Sequence, residues 1–332
     1  NVYLKQKTLT LEKASKVPDI FWYIKDFKYA QALQDKPAPL AFLIAGTGGN
    51  HLTPKIKLMA KTLYATGYHV VTLPSPSHAN FIVSASSTSS VGDIKSDIKD
   101  LENIIYQISN KIKLDDEAVV TNYVVGGYSL GAAHSAFLAY YSDKNLNSHI
   151  KFSKVLMVNP PYDILESAIK IDNMLIKNID PKLSGINGVS KVYKEIYDEL
   201  SETYNDLGGI AVNPEIIYTR FTHKELETKD TQSIIGAAFR ISSADIVFTV
   251  DAMNHLGVIK AKDKELKEFE PLREYYKSSL SYGFKKYAEE MLTKIHNKPL
   301  KQLSGETSIS AIEDYLKKSD KVFLMHNQND FI

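Results

Sequence analysis

The residues best suited to chemistry are a serine held between two glycines, in the run Gly127-Tyr128-Ser129-Leu130-Gly131. A serine hydroxyl becomes a useful nucleophile where a turn aims it clear of the backbone and a base can take its proton. These five residues follow the β-like "YVVG" and precede the helix-like "AAHSAFLAYY". A sharp strand-to-helix turn strains the serine backbone, and glycines on either side let strand and helix approach without Cβ clashes. Ser129 would then stand at a helix N-terminus, where free N–H groups and the dipole favour developing negative charge. The bland alternative is a plain glycine-flanked strand end.

A second run, "LIAGTGGNH" at residues 43–51, reads as a buried strand ending in a glycine-rich turn. It lacks the Lys-Ser/Thr pair of a phosphate-binding P-loop, and Leu52 breaks a G-x-G-x-x-G pattern. Upstream of a serine turn, glycines of this kind allow backbone N–H groups to converge on a tetrahedral oxyanion. Thr47 is the first choice of donor, paired with Leu130, the residue after the serine; Gly48 is the second choice.

The elements that must position these residues alternate. Apolar runs at 39–45, 68–73, 122–129 and 154–159 read as strands, and helical spacing appears over 54–66 and 92–110. Two earlier segments, "VYLKQKTLTL" and "DIFWYIKDF", are strand candidates, and "PSPSHANFIVSASSTSS" is a loop. Strand–helix alternation implies a mostly parallel, doubly wound sheet. From 162 to 319 the pattern is helical almost throughout, and strand character returns at 321–330. The domain reading is therefore a core of residues 1–161 and 320–332, with a helical cap of residues 162–319 inserted between late strands. The chain stops directly after a strand, so the C-terminal end of the core is expected to be missing.

Forty Lys and Arg against thirty-nine Asp and Glu give a net charge of +1, with 44% hydrophobic residues. That composition supports a large core and argues against nucleic acid as a partner. There is no cysteine, which removes thiolate nucleophiles, disulfides and cysteine metal sites; no H-E-x-x-H occurs either, so no metal and no cofactor are expected. No unbroken apolar run of about 18 residues is present, so no transmembrane segment is expected. The absence of cysteine and a start at Asn1 without Met point to a bacterial periplasmic or secreted protein, after removal of a signal segment.

Through "AGTGG", "GGYSLGA" and the late "NQND", the chain resembles the α/β-hydrolase superfamily, of the lipase and esterase type, over residues 40–160 and 320–332. The resemblance implies an α/β-hydrolase fold and a small ester or acyl substrate cleaved by Ser129, with an acid after a late strand and a histidine some tens of residues further on. Asp330 stands where the acid should be; Asp163, in "NPPYD", is the alternative. No histidine fills the remaining place. His326 lies within the strand, and His51, His78, His134 and His255 read as loop or packing residues. The base is therefore expected beyond Ile332. The rival reading is a binding or scaffold protein that keeps the fold without the reaction; within enzymes, the alternative is a thioesterase or peptidase.

Overall fold

The computed structural model describes residues 2–116, 118–179, 187–192, 194 and 228–328. Seven strands form one sheet: β1 (Lys5–Leu9), β2 (Phe27–Ala32), β3 (Ala38–Ile44), β4 (His69–Leu73), β5 (Val120–Tyr128), β6 (Phe152–Val158) and β7 (Val322–Met325). Their spatial order is β1-β2-β4-β3-β5-β6-β7. The β1–β2 and β2–β4 pairs are antiparallel, and every later pair is parallel. Central strands are apolar on both faces, as a sheet covered by helices on both sides requires: Leu40 to Ile44 are all fully buried.

The covering helices are α1 (Pro54–Ala65), α2 (Ala79–Ser84), α3 (Ile94–Asp115) and α4 (Leu130–Lys144). Helix α3 buries the stripe Ile94, Ile98, Leu101, Ile104, Ile105, Ile108 and Ile112, and so runs about a turn beyond the expected end. Two expectations are corrected. Residues Asp19–Ile24, read as strand, form a 3-10 helix, because Ile20, Phe21 and Ile24 bury one helical face; the strand follows as β2. The Ser- and Pro-rich loop contains α2, every residue of which is buried.

Between β6 and β7 the chain makes a helical excursion. It includes α5 (Ile164–Ile176), α6 (Thr228–Asn254) and α7 (Arg273–Leu280). A further helix, Phe284–Tyr287 with Thr293–His296, is interrupted by a π turn at Ala288–Leu292. The excursion is pinned at its base, where Asp163 bridges Ser308 and the Ile309 N–H donates to the Tyr162 carbonyl at 2.8 Å. Ile309 and Ile312 already pack in the sheet core. Over its most apolar window, α6 has a mean hydropathy of 1.4, long and apolar enough by composition to cross a membrane, although 56% of that window is buried in the protein. A mean over the window, not an unbroken apolar run, gives it this character. Its Arg240, Asp245 and Asp251 all bond within the fold.

Candidate active site

Strands β3 and β5 are parallel neighbours, with Ile44 opposite Gly127, so the turn after one and the serine after the other emerge side by side. Ser129 has φ 54 and ψ −123, the strained conformation expected of the turn, and directly precedes α4. Its N–H donates to the Val158 carbonyl at 2.9 Å, anchoring the turn to β6. The flanking glycines are sterically required. A Cβ on Gly131 would lie 2.1 Å from the Ile44 carbonyl oxygen, and one on Gly127 2.4 Å from Gly131. A Cβ on Gly46 would stand 3.3 Å from that of Ser129, which brings the glycine turn directly against the serine.

The turn is held from β4's far end. The Ser75 N–H donates to the Gly49 carbonyl at 2.9 Å, and the Gly48 N–H donates to Ser77 Oγ at 2.8 Å. Ser77 Oγ in turn shares a hydrogen with Ser75 Oγ at 2.8 Å. The Gly48 N–H, the second choice of donor above, is thus already paired within the fold. Neither the Thr47 nor the Leu130 N–H has a partner among the described residues. Thr47, Leu130 and Ser129 line one pocket. Sequence reading missed Ser77; its only trace there was a pair of serines two apart following a strand.

The acids and histidines fall as follows. Asp330 lies outside the described residues, as does His223. Asp163 caps α5, accepting from the Glu166 N–H at 2.8 Å, and its other oxygen receives Ser304 Oγ at 3.4 Å. His134 is buried on α4, with Nδ1 2.9 Å from the Leu130 carbonyl and Nε2 3.5 Å from Asp97. His78 caps α2 through Nδ1; burial holds it below the usual histidine range. His51 is buried with Nε2 lacking a hydrogen-bond partner. Burial first, then the neighbouring His78 and Lys28 charges, lower it to about 4. His69 bonds Gln34 and Val119, His149 stacks on Tyr106, and His296 bonds Ser90. His255 sits 3.5 Å from Lys260, and His326 follows the exposed β7. No described histidine is hydrogen-bonded to Ser129. Among the described residues no cluster of His, Asp and Glu suits a metal ion.

Among solved structures the chain is similar to Est1E from Butyrivibrio proteoclasticus, at 13% identity over 49% of this chain and 54% of that one, with a TM-score of 0.35. It is similar to an esterase from Pyrococcus furiosus at 15% identity over 53% and 55%, TM-score 0.35, and to the thioesterase domain from the curacin biosynthetic pathway at 14% over 74% and 80%, TM-score 0.35. The chain thus spans about half the length of the first two. No protein-family model and no curated protein matches it. The sheet order, with its antiparallel start and parallel remainder, together with a strained serine between the central strand β5 and α4, makes this an α/β-hydrolase fold.

Proposed function

We propose that the chain is a serine hydrolase that cleaves a carboxylic ester through an acyl-enzyme on Ser129. One observation carries the reading: a serine strained at φ 54 beside two N–H groups, those of Thr47 and Leu130, that have no partner among the described residues. Strain at a strand–helix turn is retained where surrounding structure and function demand it. Unpartnered donors beside the serine suit an oxygen whose charge develops in the transition state.

In this mechanism Ser129 Oγ bonds to the carbonyl carbon while a histidine takes its proton, and the N–H groups of Thr47 and Leu130 hold the oxyanion. The alkoxide departs with that proton, and water then attacks the same carbon to release the acid and restore Ser129. Asp330 is the proposed partner that orients the histidine, with Asp163 the alternative; the cap contact of Asp163 gives it another task.

The second reading, a binding protein that retains the fold without the reaction, draws on the absence, among the described residues, of a histidine bonded to Ser129. Fluorophosphonate labelling of the full gene product, beside its Ser129→Ala control, separates the two. Labelling that depends on Ser129 supports the hydrolase. Absence of labelling in both forms supports the binding protein.

A further inference from the structure

Ser129, Thr47, Ile171 and Phe239 each line two cavities at once. On one side is a narrow pocket of about 50 Å³, walled by apolar groups that include Ile164, Ala168, Ile246 and Phe284. On the other is a wider cleft of about 620 Å³, where Lys55, Asn159, Ser242 and Asn327 supply polar surface. Because Ile171 and Phe239 belong to both walls, they form the partition, with the serine at its edge.

We infer that the substrate is an ester of a short acyl group with a larger, polar alcohol, the acyl group seated in the narrow pocket and the alcohol in the cleft. This rests on the acyl-enzyme reading above. The order of bond changes decides which half goes where. As the bond from Ser129 Oγ to the carbonyl carbon forms, the bond to the alcohol oxygen breaks, and the alcohol takes the proton and leaves. Water must then reach the same carbon by the vacated route, returning a proton to Ser129 as the acid departs. The leaving group and the water therefore need the wide cleft. The acyl group stays attached through both steps and can occupy the confined side. Leu130, one of the two free donors, lines only the narrow pocket, which keeps the carbonyl oxygen at its mouth.

Size sets the acyl class. The pocket, about 50 Å³ against about 620 Å³ for the cleft, is by far the smaller of the two spaces beside Ser129, so the shorter half of the ester belongs there.

The partition has rigid backing. Arg240 donates to Asp172 Oδ1 through Nε at 2.6 Å, with Nη2 2.5 Å from the same oxygen in an ion pair, and donates to the Leu280 carbonyl through Nη1 at 2.9 Å. The Phe284 N–H donates to the other Asp172 oxygen at 3.3 Å. Asp172 and Arg240 directly follow the partition residues Ile171 and Phe239 in sequence, so this buried pair ties α5, α6 and the Phe284 helix together behind the pocket. They are positioning residues.

The test is the kcat/KM of the full gene product on p-nitrophenyl esters from acetate to octanoate, run beside fluorophosphonate labelling. We expect a maximum at acetate or propionate and at least a tenfold fall by octanoate. Phe239→Ala and, separately, Ile171→Ala, each verified folded by circular dichroism, are expected to move the optimum to longer chains. Ser129-dependent labelling with a profile that is flat or rises to octanoate overturns the division of the site and leaves the hydrolase reading standing. A protein that is neither labelled nor active on any ester overturns both.

Discussion

At the scale of single residues, the site depends on backbone geometry that few side chains tolerate. Ser129 is strained, and its neighbours Gly127 and Gly131 meet other backbone at distances no Cβ survives. Histidine chemistry shows the same dependence on surroundings. His51 follows the glycine turn, yet burial and the adjacent His78 and Lys28 charges lower it from the usual 6.5 to about 4. Between those values the unfolded chain binds a proton that the folded protein refuses. Stability is therefore lost as pH falls from 6.5 toward 4, and no further loss from this residue occurs below. Thermal melts across that range should show Tm falling, and His51→Gln should fall less. Equal slopes for the two proteins would exclude His51 as the source.

At the scale of elements, the sheet presents the serine and glycine turns, and residues of the excursion between β6 and β7, among them Ile171 and Phe239, line the pocket beside them. Within the apolar packing of α5 on α6 sits a polar contact: Asp172 and Arg240 are nearly inaccessible, with side chains 4% and 3% exposed. Removing one partner leaves a buried charge without compensation, which costs about 3–5 kcal/mol, whereas replacing both by apolar residues is often close to neutral. Urea unfolding should therefore show a loss of that order in Arg240→Met and recovery of most of it in Asp172→Leu combined with Arg240→Met. If the double variant were as unstable as the single, the pair's worth would lie in its further bonds to the Leu280 carbonyl and the Phe284 N–H.

At the scale of the whole molecule, stability is concentrated in the middle of the sheet. Strands β3 and β5 each have parallel partners on both sides and a buried centre. Strand β7 pairs only with β6 among the described residues, and its Phe323, Leu324 and Met325 are 49%, 61% and 58% exposed. Amides bonded in a buried centre open only with global unfolding, while those at an exposed edge open locally. Native-state hydrogen exchange should therefore find residues 41–44 the slowest in the protein and residues 323–325 faster by roughly 100-fold or more. Similar protection in both places would mean that the β7 edge is covered in solution.

The sequence by itself determined the serine turn, the glycine turn upstream and the alternation that sets them on neighbouring parallel strands. These are local matters: a strained serine needs its glycines, a buried strand needs an apolar run, and α3 displays its stripe at helical spacing. Where local signals compete, it was less informative. Asp19–Ile24 is apolar enough for a strand but buries a helical face, and α2 is buried by its surroundings despite a loop-like composition. Only the tertiary structure decided that Ser77 occupies the Gly48 N–H, that Asp163 caps a helix and that Ile171 and Phe239 divide the space beside Ser129. Each of these joins residues from separate elements, and the partners are set by how helices settle on the sheet, which no spacing along the chain records.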